Sequence, residues 1–445
     1  MQIRNPILKL ALPSVVTNIT VPLLGLVDMT IVGHMGAAAY IGAVAIGTTI
    51  FNMAYWLFAF LRMGTTGIVS QAHGAGDEYA MRDGLLRSLL WGGIIAAVLL
   101  ILQTPLLRFS LWLMAPETEI ARYAETYFRT CIWGAPAMLA SYSLTGWFIG
   151  MQDTRTPMWI AILQNLLNIA ATTFFVFVLG MDVDGVALGT VVGLYGGVAT
   201  APVLSSQMRQ RLFRNTMGNT VRIDGTPSFR RSKTKDFLRL LPQLQSREGS
   251  VYRDIFLRTL CLVAVTVYFT TAGSRLGALY LDANSLLMQF FIVFSYFTDG
   301  LANAAEALSG KHAGAQNWNA LNETIRQLFR MGFGLAFLFM VLYIAAGGFF
   351  LGLLTNQQEV LDTALPYLPW VVAIPMVAIP AFVWDGIYIG LTATREMFLS
   401  MFVATLAFFA MWFLFGPSNH ALWFSFLTYL FSRSLMQTIL FRRRS

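Results

Sequence analysis

"TGWFIGMQDTRTP" (145–157) and "DGIYIGLTATREM" (385–397) are the same passage written twice, 240 residues apart. Gly146, Ile149, Gly150, Thr154 and Arg155 match Gly386, Ile389, Gly390, Thr394 and Arg395. A second pair stands at nearly the same offset. "SQAHGAG" (70–76) resembles "SGKHAGA" (309–315), which sets Ser70 against Ser309 and His73 against His312. Two similarities at one offset predict an internal duplication, with each copy forming one structural unit.

The duplicated material is apolar. Of 445 residues, 56% are hydrophobic and 12% charged, about half the charged share of a soluble domain. Apolar runs of about 20 residues recur along the chain, long enough to cross a bilayer as helix. Alternating β-barrel patterning is absent, and helices satisfy their own backbone in lipid. The expected class is an all-α polytopic membrane protein. Twelve transmembrane helices are predicted, at 8–33, 40–71, 84–107, 120–150, 156–180, 184–208, 252–273, 279–310, 323–354, 359–391, 396–415 and 419–441. The duplication then reads as two homologous six-helix lobes, 1–204 and 251–445, joined by a basic linker loop, 205–250. Six spans per copy give both lobes the same orientation, related by a pseudo-twofold axis along the membrane normal. Such repeats are an architecture of secondary transporters.

Charge sets the expected topology. All but five of the 30 Lys and Arg fall at the termini, in the loops after the even-numbered spans, or at adjoining helix ends. The five are Arg62, Arg108, Arg122, Arg129 and Arg275. The positive-inside rule therefore places both termini in the cytoplasm. The segment 205–258 holds twelve bases against four acids. It reads as a topology signal on a polar loop; a regulatory or anionic-lipid-binding segment is the sharper alternative. The net charge of +8 is explained by this sorting, and no nucleic-acid partner is expected. The start, "MQIRNPILKL", is read as leading into a retained helix and not a cleaved signal. Cys131 and Cys261 fall in predicted spans and give no metal or disulfide spacing. No H-E-x-x-H or G-x-x-x-x-G-K-[ST] motif occurs, so neither enzyme chemistry nor nucleotide-driven pumping is expected. An ion gradient or downhill flow remains.

Four acids lie inside predicted spans: Asp28, Asp299, Glu306 and Asp385. A charge at mid-membrane costs at least about 2.5–3.5 kcal/mol, so each is a functional candidate. Asp28 lies in "VPLLGLVDMTIVGH" (21–34), in a helix that also carries Pro13 and Pro22. Prolines free carbonyls and permit bends. An apolar surrounding favours the neutral acid, which suits a proton carrier. Asp299 and Glu306 are two helical turns apart with Asn303 between them, so one face presents all three. They line a cavity or form a packing network; sequence leaves both open. Asp385 occupies the repeat position of Thr145, near Arg395, where a structural salt bridge and a function are equally compatible. Arg62 and Arg129 are the expected membrane-embedded bases. The 21 Met and 35 Phe suit a forgiving wall for apolar cations, but also ordinary packing against lipid.

These residues resemble a known family. "LALPSVVTNITVPLLGLVDMTIVGHMG" is similar to the first helix of multidrug and toxic compound extrusion (MATE) transporters. "FLRMGTTGIVSQAHGAG" (60–76), "DGLANAAEALSG" (299–310) and "DGIYIGLTATREM" resemble its DNA-damage-inducible (DinF) subfamily. The similarity spans nearly the whole chain apart from the 205–250 loop. It implies cation-coupled efflux of small organic compounds, action as a monomer, and no cofactor or covalent chemistry. The family's first-helix acid corresponds to Asp28 and the bending proline to Pro13. Its N-lobe cation site uses an Asn, here Asn168, a carboxylate four residues on, and a Thr, here Thr190; a tyrosine near the acid corresponds to Tyr127. The second carboxylate position is Thr172 in this chain. Sodium at Asp28, Asn168 and Thr190 would therefore lack one of two negative ligands, while one acid suffices for a proton. The expectation is an inner-membrane antiporter exporting cationic or amphipathic compounds in exchange for protons. Sodium coupling and a lipid-linked precursor flippase are the alternatives.

Overall fold

The structure, a computed structural model, describes residues 5–204 and 247–444. These residues form twelve helical rods and no strand. The first half comprises α1 (Pro6–Gly33), α2 (Ala38–Leu57 and Phe60–Gly74), α3 (Glu78–Ile101 and Gln103–Met114) and α4 (Thr118–Cys131, a 3₁₀ turn Ile132–Gly134, and Ala135–Gly150). It ends with α5 (Arg155–Thr173, then a π segment Phe174–Val178) and α6 (Val183–Leu204). The second half comprises α7 (Arg247–Leu276), α8 (Ala278–Gly314), α9 (Trp318–Leu354), α10 (Gln358–Ala364, a 3₁₀ turn Leu365–Tyr367, and Leu368–Gly390), α11 (Thr394–Phe415) and α12 (Asn419–Arg444). Ten of the rods are long and apolar enough to cross a membrane. The other two, α4 and α12, carry "TEIARYAETYFRTC" and Arg433 respectively, and pack among the ten. Most of the linker loop expected at 205–250 lies outside the described residues.

The duplication is legible in the backbone. Gln152 and Thr392, 240 residues apart, both adopt a left-handed conformation, and so do Gly76 and Gln316. One residue after the second pair, Asp77 and Asn317 each cap a helix, accepting from the amides of Ala80 (2.9 Å) and Ala320 (3.0 Å). The matched glycines of the repeat explain themselves by close approach. A Cβ on Gly146 would overlap the carbonyl oxygen of Arg62, and one on Gly386 would overlap that of Ala302. Gly150 presses on Ser70, and Gly390 on Gly310, in the same way. Thus α4 crosses α2 as α10 crosses α8, backbone to backbone, which only glycine allows.

Contacts divide the chain into two compact units, Val16–Gly249 and Met1–Val15 with Ser250–Ser445. The boundary falls inside α1, two residues after Pro13. The helix is unbroken across Pro13 and Pro22. In the Val16–Gly249 unit, the crossing of α2, α3 and α4 packs around Trp147, whose indole N–H donates to the carbonyl of Met81 at 3.0 Å. Beside it runs a hydroxyl chain: Thr65 donates to Ser88 (2.6 Å) and Ser88 to Ser143 (2.8 Å). This fixes the frame that presents α1, α5 and α6.

Candidate functional site

The polar cluster begins with helix spacing. Asn168 and Thr172 are one turn apart on α5 and share a face. That face meets a row of glycines on α6. A Cβ on Gly189 would lie 2.7 Å from the Thr172 amide nitrogen, and one on Gly193 2.8 Å from Asn168 Cβ. The glycines let α6 close onto α5, which buries Asn168 to 2% and Thr172 to 0% exposure. Thr190, next to Gly189, then meets Asn168: the amide Nδ2 donates to Thr190 Oγ1 at 3.2 Å, and that hydroxyl donates to its own helix at Val186 (3.2 Å). Below Thr172 the α5 ladder slips into the π segment, closed by Leu179 N–H to the Phe174 carbonyl (3.1 Å). Such slips occur where a site distorts its helix.

Tyr127 completes the group from α4. It is buried, within hydrogen-bonding contact of Thr190 and Cys131, and within electrostatic reach of Asp28. Gly47 of α2 leaves space for its ring, since a Cβ there would overlap it. Asp28 itself is 9% exposed. Among the described residues it forms no ion pair, and its Oδ1 is buried with no hydrogen-bond partner. Asn168 Oδ1 and Thr172 Oγ1 are likewise buried and unpartnered. The arrangement is one carboxylate among neutral oxygens and a thiol. Cys131 is a member that sequence reasoning passed over; its spacing of four from Tyr127, one helical turn, was the available signal. Asn165, one turn before its neighbour in the cluster, ties α5 to α1 by donating to the Thr20 carbonyl at 3.0 Å.

Asp28, Tyr127, Asn168, Thr172 and Thr190 therefore belong to one unit. Pro13, Asp299, Asn303, Glu306 and Asp385 belong to the other. Asn303 and Glu306 lie in a stretch of α8, 300–310, that is buried throughout. Asp299 is half-buried, within electrostatic reach of Tyr296 and Arg433. Asp385 accepts from Arg258 of α7 and Arg433 of α12, and from Gln437 Nε2 at 2.5 Å. All four members are buried.

Two expectations about bases change here. Arg129 is not buried: its side chain is 47% exposed and pairs with Glu125, one turn earlier, at 2.8 Å. The buried bases among the described residues are Arg258 and Arg433, which sequence reading assigned to cytoplasmic helix ends. Asp385 pairs with them and not with the nearby Arg395. Arg62 stands near Tyr142.

Comparison with known proteins follows the same outline. The MatE family model matches two segments, residues 13–174 and 255–414. The DNA damage-inducible protein F of Escherichia coli (strain K12) is 34% identical over 98% of this chain and 91% of its own length. Protein DETOXIFICATION 44, chloroplastic, of Arabidopsis thaliana is 26% identical over 90% of this chain and 75% of its own. Among solved structures, MATE in a bent conformation superposes with a TM-score of 0.82 at 17% identity, covering 99% of this chain and 94% of that one. MATE in a straight conformation gives 0.78, covering 99% and 95%. These likenesses show a common fold.

Proposed function

The chain belongs to the MatE family of multidrug efflux transporters, and on that premise we propose that it exports organic cations in exchange for protons, with Asp28 as the proton carrier. The observation that carries this reading is the state of Asp28: buried, unpaired by any base among the described residues, with one oxygen unpartnered. An ionised carboxylate accepts hydrogen bonds only, while a neutral one also donates. Taking up a proton therefore reverses one of its contacts. Unpartnered acceptors already stand in its unit, on Asn168 and Thr172. Tyr127, within electrostatic reach of Asp28, carries a hydroxyl that suits the ionised form. A change of partners at Asp28 pulls on α1, which is divided between the two units with Pro13 beside the division. Proton uptake from outside would shift α1 and release substrate; proton loss to the cytoplasm would reset it.

The placement follows from the same reading. The chain is a multi-pass protein of a bacterial inner membrane, with both termini cytoplasmic, acting as a monomer. Thr172 favours the proton over sodium, because sodium would have a single carboxylate here. A lipid-linked precursor flippase needs free buried bases for a pyrophosphate, and Arg258 and Arg433 are engaged by Asp385.

The test uses purified protein in liposomes loaded with a fluorescent organic cation. A proton gradient and a sodium gradient are imposed separately, on wild type and Asp28→Asn. Efflux driven by the proton gradient alone and lost in the variant is expected. Efflux that needs sodium, or a variant as active as wild type, would sink the proposal.

A further inference from the structure

Within the unit that holds α7 and α8, these two helices enclose a groove of about 220 Å³. One face of each lines it. Thr266, Thr270 and Gly273 recur at turn spacing on α7, and Ser285, Gln289 and Ile292 on α8. Thr270, Ser285 and Gln289 are exposed. Three exposed polar side chains on facing turns suit a wall that meets water rather than lipid. No lining side chain is charged.

The three hydroxyls of this wall are oriented alike. Thr266 donates its hydroxyl hydrogen to the Leu262 carbonyl (3.0 Å), Thr270 to Thr266 (3.2 Å) and Ser285 to Leu281 (2.8 Å). A hydroxyl has one hydrogen and two lone pairs. All three hydrogens are directed back along their own helices, so the groove meets lone pairs. Asn284 beneath is held in a reciprocal pair with Asn419 (2.7 and 3.1 Å), and its Oδ1 also accepts from Trp423 (2.8 Å). Gly273 keeps the space open over it: a Cβ there would stand 3.1 Å from Asn284 Nδ2. Met288 and Ile292, both half-buried, give the apolar side. The donors of the lining are the Gln289 amide and the second N–H of Asn284 Nδ2.

We propose that this α7–α8 groove is a substrate site for protonated amines, holding N–H hydrogens between the hydroxyl oxygens of Thr266, Thr270 and Ser285 with the apolar body along Met288 and Ile292. The inference rests on the reading of the chain as an exporter of organic cations and narrows it. A primary ammonium fills all three acceptors. A quaternary ammonium of the same skeleton has no hydrogen to give and leaves them empty.

The test is binding without any gradient. Full-length protein in nanodiscs is titrated calorimetrically with 1-naphthylmethylamine and with its N,N,N-trimethyl analogue. The amine is expected to bind about tenfold more tightly, as for hydrogen bonds to a charged donor. Thr270→Val combined with Ser285→Ala should remove that preference and leave the trimethyl affinity and the unfolding temperature unchanged. Both side chains are exposed and bond only within their own helices, so the fold does not depend on them. Equal affinities in wild type, no binding of either probe, or a preference that survives the double variant would overturn the assignment. Ion coupling does not enter these measurements, so an absence of gradient-driven efflux counts against the antiport reading and not against the groove.

Discussion

Asp28 and Asp385 are buried to nearly the same extent, 9% and 6% exposed, and are treated oppositely. Asp385 is held between two arginines and a glutamine. Asp28 has neutral neighbours and an unpartnered oxygen. The duplication sharpens the contrast. The residue 240 positions after Asp28 is Tyr268, and those after Asn168 and Thr172 are Phe408 and Trp412. Tyr268 meets both edge-on, at 6.1 and 6.3 Å. The residues 240 positions before Asp385 and Arg258 are Thr145 and Asn18. So the two copies share their glycine crossings and their left-handed turns, but Asp28, Asn168 and Thr172 are matched by aromatic residues, and Asp385 and Arg258 by neutral ones. One acid has its countercharge built in; the other has none among the described residues.

The largest expected effect breaks this comparison at Asp28. Asp28→Asn should reduce proton-driven efflux to the background seen without a gradient, while thermal unfolding of the solubilised protein stays within about 1 kcal/mol, because a buried amide replaces a buried acid without stranding a partner. Next comes Asp385→Asn. It leaves two buried guanidiniums without their anion, which costs about 3–5 kcal/mol when one partner of a buried pair is removed. Unfolding should shift accordingly, and the surviving folded fraction should keep its dependence on the proton gradient. Exchanged results, with coupling lost in Asp385→Asn and stability lost in Asp28→Asn, would reverse the assignment of roles.

A smaller effect tests the scaffold of the coupling cluster. Gly189→Ala places a methyl group 2.7 Å from the Thr172 amide and 2.8 Å from its Cα, both backbone atoms that cannot turn aside. Overpacking of this kind costs about 1–3 kcal/mol, and the separation of α5 from α6 should loosen the Asn168–Thr190 bond and lower efflux several-fold. Gly25→Ala on α1 is the control, since nothing lies within 4 Å of its added methyl group. Equal outcomes for the two substitutions would mean that the α5–α6 approach does not hold the site.

Much of this was legible in the sequence because it is written in local patterns. Hydropathy gave the twelve rods, and α8, α9 and α11 begin and end within a few residues of their predicted bounds. The matched Gly146 and Gly386 were visible as a repeat before the structure gave their reason. The interruptions were not predicted, although Pro136 and Pro366 stand next to or within the 3₁₀ turns of α4 and α10 and could have marked them. The partners of Asp385 were missed for a different reason. Arg258 and Arg433 lie 127 and 48 residues away, and a basic residue toward the cytoplasmic end of a span reads as a topology signal by position alone. Only folding brings the three together. The grouping of Asn168, Thr190 and Tyr127 was expected through family resemblance; physical pattern by itself singled out Asp28 and not its neutral neighbours, because Asn and Thr inside a helix carry no distinguishing signal.

The smallest effect is expected at Arg129, and it bears directly on whether Asp28 lacks a countercharge. The sequence made Arg129 a candidate to neutralise a buried acid. In the structure it points to an exposed pair with Glu125, each side chain more than 40% exposed. Exposed pairs one turn apart on a helix contribute roughly 0.3–0.5 kcal/mol, screened by salt. Arg129→Gln should thus leave the unfolding temperature nearly unchanged, and efflux should keep the wild-type dependence on external pH. Stability alone does not discriminate, because a weak surface pair and a flexible long-range one look alike in a melt. The pH profile does. A guanidinium close enough to balance Asp28 would stabilise its ionised form, and removing it would move the whole profile toward higher pH. A profile that stays in place leaves Asp28 without a countercharge, and with it the difference between the two lobes.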